Sequence, residues 1–523
     1  MRPHREFPEA SLYVEKLEDR SRHRKSTAMT RSANRRSLRP LKNLLAAAVL
    51  GLGTLQAQAA TLWEVYLQAL DNDPQLAADR AAYRAGLEAK NLGRSALLPQ
   101  INASGEISKT KTDFESTSGS FTGSQIVDAK TTGDSEIDAT SYGARLDQAL
   151  FDLPAWFGYK QGKKVSEQAA AEFSANQQDM MIRVASAYFD VLRANDVLAA
   201  ARAEEEALAK QLEQTQQRFE VGLTAITDVY DSQSAYDSSR ARRLTAQDDL
   251  LSNFDALSVL TGQHYDVVAP LVEGFDVAPP EPTDRAAWVE FALANNYSLK
   301  AARLNADASR YGARAAAADH LPTVSGYLAY QHNEEDGTRN ATTRILGRPD
   351  IDPVINSSPS DSDTDIQIAA ITFNMPLYSG GRLSASRREA RNLAFQSEDL
   401  RNLTERNTIQ STRTLHRAVT TDVSRVEARN QAVISAKSAL DATQAGYEVG
   451  TRNIVDVLLA QRTLAQSQTD YANALYDYIL NTLNLKQASG LLAPKDLQDL
   501  DGRLNPTIAV TRVAEAGALP FTK

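Results

Sequence analysis

The chain has 523 residues, 24% of them charged and 42% hydrophobic, a balance that supports a folded protein with ample apolar surface and excludes a disordered one. It contains no cysteine, which excludes disulfides, a thiol nucleophile and a lipid-attachment cysteine. The formal net charge is −9, and an acidic surface or duct repels anionic polymers, which argues against nucleic acid as a partner.

The first feature along the chain is an apolar stretch, 41–60, with a basic flank of Arg31, Arg35, Arg36, Arg39 and Lys42. It ends in Ala57-Gln58-Ala59, the A-x-A site of a secretory signal, cut so that Ala60 becomes the first mature residue. Residues 29–59 are read as the signal and 1–28 as a non-native extension, because a start at Met29 gives a signal of ordinary length. Arg35-Arg36 suits a plain basic flank better than a twin-arginine signal. Taking away the 12 basic and 5 acidic residues before Ala60 from totals of 57 and 66 leaves 45 and 61, a mature net charge of −16. No later run reaches about 18 apolar residues, so the mature chain has no membrane-spanning helix. Any place in a membrane must then be taken as a closed β-barrel.

Residues 60–262 form one structural repeat and 285–493 a second. Ala69-Leu70-Asp71-Asn72-Asp73-Pro74-Gln75-Leu76 is echoed by Ala292-Leu293-Ala294-Asn295-Asn296-Tyr297-Ser298-Leu299, and Leu98-Pro99 by Leu321-Pro322, both 223 residues later. Leu150-Phe151 returns as Leu377-Tyr378, 227 later. Arg218-Phe219-Glu220-Val221-Gly222-Leu223-Thr224-Ala225-Ile226-Thr227-Asp228-Val229 returns without a gap as Gly446-Tyr447-Glu448-Val449-Gly450-Thr451-Arg452-Asn453-Ile454-Val455-Asp456-Val457, 228 later. So small a drift marks a tandem duplication.

Each repeat opens with helical sequence, 62–92 and 285–317. In the first, Ile101, Ala103, Gly105 and Ile107 then alternate with polar residues, the period of a two-faced strand, and the alternation resumes at Tyr142, Ala144, Leu146 and Leu150. In the second, Val324, Gly326, Leu328 and Tyr330 form one strand and Ile371, Phe373 and Met375 end another. Ile366 and Ile368 have the opposite phase, which calls for a bulge or a later start. The polar connections 113–139 and 332–363 read as long surface loops. Beyond the strands lie proline-free helical stretches of more than sixty residues, 155–220 and 382–448, with Met181, Val184, Tyr188, Val191 and Leu192 at three-four spacing. The helical pattern restarts after each Val-Gly step and runs to about Leu260 and Leu485, so each repeat ends in a long antiparallel hairpin whose tip is that step.

Four strands cannot close a wide barrel, and an open edge in lipid leaves unpaired backbone groups that cost several kcal/mol each, about 2–7 by transfer measurements. Closure therefore needs several copies of the chain. The order signal, helix, hairpin, long helix, Val-Gly tip, helix, given twice, resembles the TolC family of outer-membrane efflux and type I secretion proteins. So do Leu98-Pro99-Gln100, Met375-Pro376-Leu377-Tyr378-Ser379-Gly380-Gly381 and the doubled tip, and the resemblance covers the mature chain to about Ala493.

That resemblance implies an α+β membrane protein: a homotrimer whose twelve-stranded β-barrel, four strands per protomer, sits in outer-membrane lipid and continues as a coiled-coil α-helical barrel across the periplasm. A periplasmic adaptor and an inner-membrane pump, of RND or ABC type, dock at its closed end, which opens like an iris. It places adaptor docking at Val221, Gly222, Leu223, Val449, Gly450 and Thr451, a closed-state latch at Thr227, Asp228, Tyr447 and Arg452, and an acidic constriction ring at Asp456. The family's second ring position is Leu459 here, which predicts weaker block by cations. No cofactor and no metal are implied. Residues 263–284 join the repeats, and with the tail 494–523 they are expected around the helical waist, the tail losing order from about Pro506.

Two other readings compete. For an enzyme, the mature histidines His264, His320, His332 and His416 have no metal-ligand or triad-like company, and the carboxylates sit at helical spacing as solvated faces. A secreted coiled-coil scaffold or adhesin accounts for the helices and the alanine content. It does not account for strands inserted at matching points or for a tip repeated without gaps.

Overall fold

The computed structural model describes residues 59–122, 125–272 and 274–512, all within the unit formed by residues 57–523. The extension read at 1–28, nearly all of the signal read at 29–59, and the residues after 512 lie outside the described residues.

The first half of the chain runs α1 (Leu62–Asn72), α2 (Pro74–Ser95), β1 (Gln100–Thr122), β2 (Gln125–Phe151), α3 (Leu153–Glu220) and α4 (Ile226–Thr261). A short strand β3 (Val267–Val268) follows. The second half runs α5 (Arg285–Asn295), α6 (Tyr297–Ala318), β4 (Thr323–Ile345), β5 (Val354–Pro359), β6 (Ser362–Asn374), α7 (Arg382–Glu448) and α8 (Ile454–Ala488), before α9 (Pro494–Asp501) and β7 (Val510–Thr511). The element order of one half thus recurs in the other, as the internal sequence echo requires.

Local chemistry explains most boundaries. Thr61 opens α1 with a capping box, its hydroxyl accepting from the Glu64 N–H while the Glu64 carboxylate accepts from the Thr61 N–H. The helix expected over 62–92 is two helices, because Asp73 leaves the helical region and its carboxylate accepts the Gln75 N–H at 3.0 Å. Pro74, which has no N–H to donate, is then well placed in the first turn of α2. Asn296 divides the second expected helix in the same way, accepting the Leu299 N–H at 2.8 Å. Farther along, Asp152 caps α3 through the Ala155 N–H, with Pro154 in the first turn.

The strands form one antiparallel sheet ordered β1-β2-β4, with β5 and β6 both beside β4. β6 covers Thr323 to Glu335 of β4 and β5 covers Thr338 to Thr343, so the two act as one interrupted strand and the chain supplies four strand positions. The segments 113–139 and 332–363, expected as loops, are largely strand. β1 and β2 stay in register from Gln100↔Asp147 to Thr122↔Gln125, and β2 and β4 pair as far as Ala129↔Ile345. Polar residues on both faces hid them, and Lys109–Glu136 and Lys130–Glu115 ion pairs and a Thr131–Thr343 hydroxyl contact bridge neighbouring strands. The bulge expected near Ile366 is absent. β6 pairs without a shift, so Ile366 and Ile368 fall on the face opposite Ile371 and Phe373. A register shift occurs instead in the β2–β4 ladder, between Ala149 and Phe151.

Directly opposed residues share a face. One such row is Ile101, Leu146, Leu328 and Ala369; the next is Ala103, Ala144, Tyr330 and Gln367; the third is Gly105, Tyr142, His332 and Asp365. Ile101, Ile371 and Phe373 on this face are 73%, 74% and 64% exposed, far more than a packed core face allows.

The main core surrounds the middle of α3, where Tyr188, Phe189, Leu192 and Leu198 meet Leu62 and Val65 of α1, Leu250 and Phe254 of α4, and Tyr476, Ile479 and Leu483 of α8. Burial of each such side chain stabilises by about 1.5–3 kcal/mol. The Tyr188 hydroxyl reaches the carbonyl oxygens of Ala269 at 2.7 Å and Ala60 at 3.1 Å, tying in the connecting segment. The tail stays ordered past Pro506, through Arg512, because β7 pairs with β3. Among the described residues no helix is long and apolar enough to cross a membrane. α3, with 68 residues, extends about 100 Å.

Candidate functional site

The repeated tip segments fold alike. α3 ends at Val221, and Gly222 takes φ +75°, a left-handed conformation that a side chain disfavours. The Gly222 N–H then donates to the Phe219 carbonyl at 2.9 Å and the Leu223 N–H to the Arg218 carbonyl at 2.8 Å. In α7 the same pair of bonds runs from Gly450, φ +79°, to Tyr447 at 3.1 Å, and from Thr451 to Gly446 at 2.9 Å. Both tips are therefore Schellman motifs, which satisfy the last carbonyls of each long helix and reverse the chain. The steps present bare apolar surface: Val221, Leu223 and Val449 are 69%, 70% and 75% exposed.

The two hairpins differ behind their tips. In the second, Leu440, Tyr447, Ile454 and Val457 form a separate apolar cluster. The first is polar at the matching depth, where the buried Thr215 hydroxyl donates to the Gln211 carbonyl at 2.8 Å and Ser232 lies 3.4 Å from that hydroxyl. Higher up, Arg242 grips the buried Glu204 with both a 3.2 Å and a 2.6 Å bond, and Arg243 pairs with Glu205.

The residues expected to latch the gate lie close to these tips, but within one chain they do not join one another as a set. Asp228, in the first turn of α4, accepts from the hydroxyls of Thr224 and, at 3.5 Å, Thr227. Arg452 lies 3.8 Å from the Asp456 carboxylate, and its side-chain stem packs over the end of α7 at Gly446. Tyr447 is buried and its hydroxyl has no partner among the described residues, while the Arg218 guanidinium stands 4.8 Å from the centre of its ring. Asp456 receives the Asn453 cap on its N–H at 2.8 Å and keeps a partly exposed carboxylate; Leu459, one turn on, is 61% exposed. Sequence reasoning missed Arg218. It lies inside the repeated segment, but Gly446 fills the matching place in the second copy, so the repeat did not single it out.

Well above the tips, polar contacts join α3 to α8. The Tyr476 hydroxyl donates to Asp196 at 2.8 Å and Arg193 donates to Asp477 at 3.0 Å. Burial pushes the Asp196 carboxyl above the ordinary range, with the bond from Tyr476 opposing the shift. Burial first, and Asp196 second, push the Tyr476 phenol up as well.

The model of a family described as "Outer membrane efflux protein" matches residues 65–263 and 288–491. The chain is 36% identical over 471 residues to "Outer membrane protein TolC" of Vibrio cholerae, covering 89% of this chain and 99% of that protein. It is 28% identical to the "Alkaline protease secretion protein AprF" of Pseudomonas aeruginosa, with 88% and 91% covered. Among solved structures, the Campylobacter jejuni CmeC outer membrane channel superposes with a TM-score of 0.64 at 14% identity, covering 90% of this chain and 98% of that one.

Proposed function

Because the chain belongs to the outer membrane efflux protein family, we propose that it is the exit duct of a tripartite efflux pump or type I secretion system, through which small molecules or unfolded proteins pass from an inner-membrane pump to the exterior. Three copies each contribute four strands to a twelve-stranded barrel in outer-membrane lipid, and their long helices continue its bore into the periplasm. The observation that carries this reading is a sheet with unsatisfied edges at β1 and β6 and an exposed apolar face, joined directly to helices about 100 Å long. A single chain has no means of burying that face or those edges; lipid and two further copies supply both. A water-soluble scaffold gives no reason for the apolar rows on the sheet.

At the periplasmic end, the exposed Val221-Gly222-Leu223 and Val449-Gly450-Thr451 steps dock the adaptor. Thr227, Asp228, Tyr447 and Arg452 form the closed-state latch, with the Arg452 side chain, 61% exposed, placed to reach a second copy of the chain. Charge-assisted bonds of this type hold firmly yet yield to a partner that adds competing contacts. Asp456, repeated three times, forms the constriction ring.

Purified protein reconstituted in planar bilayers is expected to conduct ions as a trimer in small discrete steps. A water-soluble monomer that passes no current would end this reading. Within a conducting protein, Tyr447→Phe combined with Arg452→Glu is expected to raise conductance or admit large antibiotics, and a double variant with neither effect counts against the latch.

A further inference from the structure

We propose that Arg218 and Tyr447 form the contact through which the two docking steps hold the gate shut, an inference that rests on the docking and gate reading above. The Arg218 guanidinium carbon lies 4.8 Å from the centre of the Tyr447 ring, so the contact joins the last turn of α3 to the last turn of α7, one hairpin to the other. Each partner is fastened to its own docking step through the main chain. The Arg218 carbonyl accepts the Leu223 N–H at 2.8 Å, and the Tyr447 carbonyl accepts the Gly450 N–H at 3.1 Å. A Schellman turn makes the step and the residue that closes it one stiff unit. A partner that shifts either step therefore shifts the arginine or the tyrosine with it.

The ring cannot follow its cation freely. Tyr447 is 8% exposed and packed with Leu440, Ile454 and Val457, which fix the ring plane relative to the second hairpin. Nor is the contact held by a directional bond, since the Arg218 Nε and the Tyr447 hydroxyl, both buried, have no hydrogen-bond partner among the described residues. Attraction between a guanidinium and a ring face remains, and it weakens once the two separate beyond about 6 Å. An attraction of that strength changes a closed-to-open ratio by roughly two- to thirtyfold in each copy. It is large enough to bias the gate and small enough for a docked partner to break.

The test is single-channel conductance of the full-length trimer in planar bilayers, with circular dichroism and trimer mobility establishing that each variant folds. Arg218→Ala is expected to raise the open fraction at least about twofold, Arg218→Lys to give a smaller rise, and Gln214→Ala, an exposed neighbour on α3, to change nothing. In a Tyr447→Leu background, Arg218→Ala is expected to add no further increase, because the ring is gone. In a Tyr447→Phe background its effect is expected to persist, because the ring remains while the hydroxyl of the latch does not. A conducting trimer in which Arg218→Ala has no effect, or the same effect with and without the ring, overturns the contact and leaves the duct intact. Wild-type protein that conducts nothing brings down both.

Discussion

Asp456 is held by its main chain and left open at its carboxylate. The Asn453 side chain fixes its N–H, while the nearest cation, Arg452, lies 3.8 Å away and is itself 61% exposed. In the proposed trimer, three such carboxylates near one axis would concentrate cations between them. Asp456→Ala is expected to weaken block by multivalent cations about tenfold, read from bilayer recordings before and after adding the cation. Unchanged block would place the ring elsewhere. Asp196 presents the reverse case, a carboxylate whose surroundings resist its charge. Its pKa is raised by burial, so the folded protein binds that proton more tightly than the unfolded chain does. Its contribution to stability is therefore full below the ordinary aspartate value of 3.8, falls as pH rises through the raised folded value, and stays low above it. Asp196→Asn keeps an oxygen to accept from Tyr476 and removes the charge. Thermal unfolding should show the variant more stable than wild type at pH 7 and the advantage vanishing near pH 3; an advantage constant with pH would contradict the argument.

The two helical hairpins solve one packing problem by different means. Glu204 is 4% exposed, and its compensation is the two-pronged bond from Arg242 of α4, itself 44% exposed. Arg242→Ala strands that carboxylate, at a cost between a surface pair's ~1 kcal/mol and a buried pair's ~3 kcal/mol. Hydrogen exchange in the middle of α4 is then expected to speed up about tenfold, with the second hairpin unaffected. Equal acceleration in both hairpins would show that they open as one unit. The sequence already displayed these hairpins, since unbroken three-four spacing without proline announces a long helix and a repeated Val-Gly its reversal. It displayed the strands only where their faces differ, from Ile101 to Ile107 and from Tyr142 to Leu150. Where polar residues dominate both faces, as from Asp113 to Ala139, a paired strand and a polar loop share a composition, and only the backbone ladder distinguishes them. The candidate docking steps and latch residues could be named because the doubled tip resembles the family's, and their roles remain proposals. Arg218 was not, because its role depends on a ring 229 positions away, on the other hairpin.

At the scale of the molecule, the question is which face of the sheet meets lipid. The pairing register divides two isoleucines of one strand: Ile371 lies across from Gly326 and 74% exposed, while Ile368 lies across from Ala329 and 43% exposed. Ile371 shares its face with Leu146, Leu328 and Ile101, but Ile368 shares the opposite face with Arg145 and Asn102. That second face already tolerates charge, for Arg145 pairs with Asp147 at 2.8 Å and its guanidinium lies 3.9 Å from the centre of the Tyr327 ring. A cation on the first face must be carried into hydrocarbon, at about 2–4 kcal/mol near the bilayer midplane, whereas one on the second enters water. Ile371→Arg is thus expected to lower the yield of trimer folded into vesicles, or its unfolding free energy, by an amount in that range. Ile368→Arg should fold nearly as well as wild type and instead shift ion selectivity toward anions. If both substitutions cost the same, the sheet does not separate lipid from water, and the proposed three-copy barrel loses its physical basis.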